Sequence, residues 1–199
     1  MRTMTNFHQF FGILAGILTL AGLLLYAKSV AAGPTKPSRA TWAIWTINSL
    51  LLLTSYAASG ARETIWLAAG YAAGLFIITL LTMKFGERGW NWLDIFCLVG
   101  AAFGVLLWCV TGSSLSALIA SLAVDLCGVI PTMQKSWYYP EQEDRLSWSI
   151  LLIGGLMSCL AIEEWSFKIA AYPLQITITT AVIVIFLFRY KTRHPSPNL

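Results

Sequence analysis

Charge and histidine are what this sequence has least of. Asp, Glu, Lys and Arg together supply 11% of its 199 residues, and the two histidines, His8 and His194, stand one near each end. A soluble domain carries roughly twice that proportion of charge, so an ordinary water-soluble globule is excluded. Four cysteines, Cys97, Cys109, Cys127 and Cys159, include no CxxC pair. With histidines so far apart, no metal-ligand spacing exists, and neither a metal nor a cofactor is expected. The cysteines fall inside apolar runs, where Cys behaves as a small hydrophobe, which argues against a disulfide framework. The last apolar run has no interior lysine, which excludes a retinal Schiff base there. Acid, base and nucleophile do not converge anywhere along the chain, so an enzyme is the least supported class.

What is present is apolar: 57% of residues are hydrophobic and mean hydropathy is +0.70. A membrane helix needs about 20 predominantly apolar residues, and seven runs qualify as candidates: 10–26, 42–58, 65–83, 92–110, 115–133, 148–161 and 170–188. The sixth is the shortest. Each run must satisfy its own backbone hydrogen bonds in lipid, which predicts an all-α, multi-pass chain. The alternating ten-residue segments of a membrane barrel are absent.

Basic residues fix the expected orientation. With the N-terminus outside and the C-terminus inside, ten basic residues lie on the cytoplasmic side: Lys28, Lys36, Arg39, Lys84, Arg88, Lys135, Arg145, Arg189, Lys191 and Arg193. The outside keeps three, Arg2, Arg62 and Lys168. The first run resembles a signal peptide, with Arg2 before it and "SVAAG" after it, but cleavage there would invert this bias. The net charge of +4 then belongs to cytoplasmic loops and not to a nucleic-acid surface. The expected location is the plasma (inner) membrane, with the bilayer as partner; a homo-oligomer stays open.

An internal repeat is visible. "TWAIWTINSLL" (41–51) and "SWSILLIGGLM" (147–157) share hydroxyl, Trp, Ile, Ile and Leu at an offset of 106, and each follows a Lys-Ser and a loop. The offset pairs runs one to three with runs five to seven and leaves the fourth unpaired. An even number of crossings separates the paired helices, so the repeats run parallel. The expected organisation is 1–84 as repeat one, 85–113 as a linker helix, and 114–199 as repeat two with a short basic tail. In such 3+1+3 arrangements a pathway lies at the repeat interface.

With N-out and C-in, and an "IP" shortly before Lys-Ser in "GVIPTMQKS", this plan resembles the SWEET and PQ-loop transporters. Their first helix in each repeat carries a Pro motif near its cytoplasmic end. Pro131 matches that motif, whereas run one has "LLLYAKS" in the same place. The resemblance implies transport of a small polar solute by alternating access. It does not carry over sugar-binding residues, because Trp42 and Trp148 lie near the cytoplasmic ends and runs three and seven contain no Asn.

Asp125 is the one acid deep within a run. An ionised Asp at mid-bilayer costs roughly 2.5–3.5 kcal/mol on insertion scales and faces the bundle interior or water. It shares a helical stripe with Ser121, Gly128 and Thr132; the stripe 106 residues earlier is Ala15, Thr19, Gly22 and Tyr26. Two readings stand: a proton, cation or polar-solute site, or a hydrogen-bonded fastener between helices. Asn48, whose repeat mate is Gly154, is either helix glue or a ligand contact. Gln175 with Thr179 forms a polar patch in run seven, and Tyr71 is a further pathway residue. Pro131 bends its helix and is a candidate hinge. The remaining aromatics, Trp42 and Trp148 among them, are expected at membrane interfaces, and Glu141, Glu143 and Asp144 as a solvated face. The rival to a transporter is a non-transporting accessory, assembly or sensor protein whose polar groups only join helices.

Overall fold

In the computed structural model, residues 2–33, 39–85, 89 and 92–189 are described. They form seven α-helices: α1 (Arg2–Ala32), α2 (Arg39–Ala58), α3 (Ile65–Phe85), α4 (Trp92–Thr111), α5 (Ser114–Tyr138), α6 (Arg145–Leu160) and α7 (Phe167–Arg189). One 3-10 turn, Pro140–Gln142, precedes α6. Among the described residues there is no strand.

Each apolar run lies in one helix, the sixth overrunning the end of α6 by Ala161 alone, and the other helices reach as far or further. A run counts only lipid-compatible residues, whereas a helix continues past the bilayer until something ends it. For α1 that is Gly33, whose φ of 96° reverses the chain in a conformation glycine adopts without a Cβ clash. Four helices are long and apolar enough to cross a membrane: Asn6–Ala32 within α1, then α3, α5 and α7. α2 carries Thr46, Asn48, Ser49, Thr54 and Ser55, which dilute its hydropathy. At 16 residues α6 is about 24 Å long, short of a hydrocarbon core of about 30 Å.

Packing follows a closed order. α3 lies against both α1 and α2, and α7 lies against both α5 and α6; α1 then packs on α6, and α2 on α5. Six helices thus form a ring in the order α1, α3, α2, α5, α7, α6. α4 stands outside it, against α5 and α2, and turns Ile95, Phe96, Val99, Phe103, Leu106 and Val110 outward. Phe10, Ile17, Leu80, Ile178 and Ile185 also point out of the ring helices. Apolar groups on the outside as well as the inside are the surface of an integral membrane protein.

One end of the ring joins the start of α1 to the loops after α2, α4 and α6. His8 Nδ1 lies 3.1 Å from the Leu160 carbonyl, and the Ser59 hydroxyl donates to Ser114 Oγ at 3.0 Å. At the opposite end Arg189 stacks 3.2 Å over the Trp137 ring, and Trp137 meets Phe186 edge-on. Two buried clusters fill the ring. One, at the His8 end, is built around Tyr56, Leu67, Leu118 and Tyr172; the other contains Tyr26, Val30, Trp42 and Ile78.

Candidate functional site

Against the second of these clusters, and reaching Ile176 of the first, lies a cavity of about 60 Å³ to which all six ring helices contribute. α1 supplies Leu23 and Tyr26, α2 Trp42 and Trp45, α3 Tyr71 and Leu75. From the other half come Asp125 and Val129 of α5, Trp148 and Leu151 of α6, and Ile176, Thr179 and Thr180 of α7. A cavity of that size holds water or a compact polar group.

Asp125 is its one carboxylate. Gln175 Nε2 donates to Asp125 Oδ2 at 3.1 Å and to the Leu122 carbonyl at 3.1 Å. The amide thereby ties α7 to α5 and holds the carboxylate in one rotamer. Thr179 turns its hydroxyl back to the Gln175 carbonyl at 2.9 Å, and Thr180 bonds the Ile176 carbonyl at 2.6 Å. Threonine in a helix makes that backward bond readily, and here it leaves the methyl groups and little hydroxyl surface for the cavity.

The aromatic lining is larger than the sequence led us to expect. Trp42 and Trp148 were assigned to membrane interfaces; they line the cavity instead, together with Trp45, Tyr26 and Tyr71. The rings brace one another, Tyr26 to Trp42 at 5.3 Å and Trp42 to Trp45 at 5.4 Å between centroids. Trp148 is fixed differently: its indole Nε1 donates to Glu143 Oε2 at 2.9 Å. This corrects the solvated-face reading of the acidic loop. Glu143 is 8% exposed, and Asp144 caps α6 by accepting the Ser147 N–H at 3.0 Å; only Glu141 is exposed. A short loop that must start a helix has backbone donors to satisfy, and Asp144 satisfies one of them while Glu143 takes the indole N–H. The signal for the tryptophans was in the repeat itself, since Trp42 and Trp148 are mates at the offset of 106.

Other candidates lie away from the cavity. Asn48, 2% exposed, donates from Nδ2 to the Ser121 carbonyl at 3.1 Å, so both residues belong to the α2–α5 seam. Gly154 is not open space: a Cβ there would sit 2.8 Å from Thr19 Oγ1 and 3.3 Å from the Ala15 carbonyl. Thr19 is therefore packed in the α1–α6 seam, fully buried. The side chain of Pro131 lies outside the described part of the chain, although α5 continues through its position.

The two seams repeat each other. Asn48 meets Ser121 as Gly154 meets Ala15, and Gly128 presses on Trp45 as Gly22 presses on Leu151. Every partner is displaced by 106 from its counterpart. Within the cavity, Leu23 and Val129, Trp42 and Trp148, and Trp45 and Leu151 are mates at the same offset. The Asp125 carboxylate has no acidic mate, since Thr19 holds that place.

Comparison with protein-family models, curated proteins and solved structures finds no match to this chain.

Proposed function

We propose that this chain is a seven-span membrane transporter or facilitator that moves a small polar solute by alternating access past Asp125. The observation that carries the reading is the Asp125 cavity, lined by all six ring helices. A site shared by both halves changes its access when the halves rock, as in transporters built from repeats. The cluster around Tyr56 and Tyr172 reaches the cavity through Ile176, and Tyr26 and Trp42 of the other cluster are part of its wall. Recurrence of seam and lining contacts at an offset of 106 supports a parallel 3+1+3 plan, with repeats 1–84 and 114–199 around a linker helix at 85–113. It agrees with the resemblance to SWEET and PQ-loop transporters. The basic residues support N-out, C-in insertion in the plasma (inner) membrane.

The test is flux. In proteoliposomes carrying the full chain, a panel of sugars, amino acids, amines and nucleosides is assayed for uptake with and without a pH gradient. Asp125→Asn, which keeps size and hydrogen bonding, is expected to cut the flux of the active solute at least tenfold, and to remove any proton dependence. Unchanged flux in that variant removes Asp125 from the pathway.

One observation favours the rival class. Asn48 bonds in a buried seam and Thr19 packs in another, which is what an accessory or assembly protein needs to hold its helices together. Such a protein would show no flux of any solute on the panel.

A further inference from the structure

Five aromatic rings and one carboxylate surround a cavity with no cationic side chain in its lining among the described residues. That combination selects by charge. The faces of Trp and Tyr carry negative quadrupole density and attract cations, most strongly where water is excluded. The same faces, with a carboxylate beside them, repel an anion.

A neutral polyol fits poorly. It needs a donor or acceptor for each hydroxyl, and polar groups left unpaired in a buried site are costly. The Thr179 and Thr180 hydroxyls are committed to their own helix and the Gln175 amide N–H to Asp125 and Leu122; Trp45 Nε1 is a buried lining donor without a partner among the described residues, and one such donor does not serve the several hydroxyls of a polyol. Gln175 occupies only one oxygen of Asp125; among the described residues the other has no hydrogen-bond donor. An ionised Asp inside a membrane protein needs a counter-charge. None of the lining residues provides one.

We propose that the box formed by Tyr26, Trp42, Trp45, Tyr71 and Trp148 around Asp125 binds a small organic cation, an alkylammonium group whose charge pairs with the carboxylate while its methyl or methylene groups lie on the rings. This rests on the transporter reading for its biological use and narrows the solute class. The asymmetry of the halves fits it: Trp42 and Trp148 are mates on opposite walls and the other three rings come from the first half, facing the single carboxylate that a single positive charge needs.

The test compares two near-isosteric probes on the purified full chain in nanodiscs. Choline carries the trimethylammonium group; 3,3-dimethyl-1-butanol replaces it with a neutral tert-butyl group. Choline is expected to raise the melting temperature saturably and to change tryptophan fluorescence, with the neutral analogue at least tenfold weaker. Asp125→Asn, checked for folding by its own melting transition, is expected to lose choline at least tenfold; Trp148→Phe, which keeps a ring, should lose less. Equal binding of the two probes overturns the proposal whatever the variants do. So does a neutral solute that binds or is transported while choline does not, and that result leaves the transporter reading intact. Choline binding without flux supports the cation site and removes transport. Absence of binding and flux across the whole panel overturns both.

Discussion

Glu143 and Trp148 form a pair that couples a loop to the cavity wall. The carboxylate accepts the indole N–H at 2.9 Å and is itself buried. Removing the acceptor leaves a buried donor unpaired, at a cost of about 1–3 kcal/mol. Glu143→Ala should therefore destabilise the protein by about that amount and shift tryptophan emission, whereas Glu143→Gln, which keeps an oxygen in reach, should lose less. Equal melting temperatures for Ala and parent would contradict the pairing. Glu63 offers a pH test at the other end of the bundle. Partial burial raises its carboxyl above the usual value, Glu163 adds to the rise, and His8 and Arg62 oppose it. The folded state therefore binds this proton more tightly than the unfolded one, and its contribution to stability falls as pH rises through the ordinary carboxylate range to the raised folded value. Glu63→Gln is expected to melt higher than the parent at neutral pH, with the difference shrinking on acidification. A constant difference across a pH series of melts would refute that linkage.

Among the elements, α1 and α3 are joined by glycine. A Cβ on Gly16 would stand 2.6 Å from the Trp66 carbonyl oxygen, and one on Gly70 would stand 2.6 Å from the Gly16 carbonyl oxygen. Both obstacles are main chain, which cannot swing aside as a side-chain tip can. In a membrane, close backbone approach of this kind supplies the packing that a hydrophobic driving force would supply in water. Gly16→Ala is expected to destabilise by about 1–3 kcal/mol, the usual cost of overpacking, as read from thermal melts in detergent. Gly60→Ala is a useful comparison: it meets no atom within 4 Å, and its penalty arises only from its φ of 99°. The seams between the halves differ in kind. α2 meets α5 through the Asn48 amide, and α1 meets α6 through the small Gly154, so equivalent positions use a hydrogen bond on one side and close packing on the other.

For the molecule as a whole, the ring order of the helices places the loop at 161–166 and the loop at 139–144 at opposite ends. If the ring spans a bilayer, cysteines introduced there must label from opposite faces. Glu164→Cys should react with a membrane-impermeant maleimide from outside intact cells, and Glu141→Cys only after permeabilisation; native Cys97, Cys109, Cys127 and Cys159 are replaced by Ser or Ala beforehand. Labelling of both from one side would end the seven-span reading. At 16 residues α6 is shorter than α1 and α7, the two ring helices that flank it.

Much of this was legible from the chain. Apolar runs dictate helices because backbone groups in lipid have no other partner; all seven runs are helical, and the offset of 106 in the sequence recurs in the contacts. Asp125 and Gln175 were legible as polar residues out of place, and their 3.1 Å bond explains why both are there. Periodicity alone did not decide which face of each helix looks inward, because helices that are apolar all round carry no stripe to read. For that reason Trp42 and Trp148 passed for interfacial residues. Asn48 stood open between helix glue and a ligand contact, and it bonds the Ser121 carbonyl across the α2–α5 seam. Local sequence determined composition, helix and repeat, since those depend on neighbours along the chain. Only the tertiary structure decided which polar groups are spent on one another and which remain facing a cavity, since that depends on helices up to 152 residues apart in sequence meeting in space.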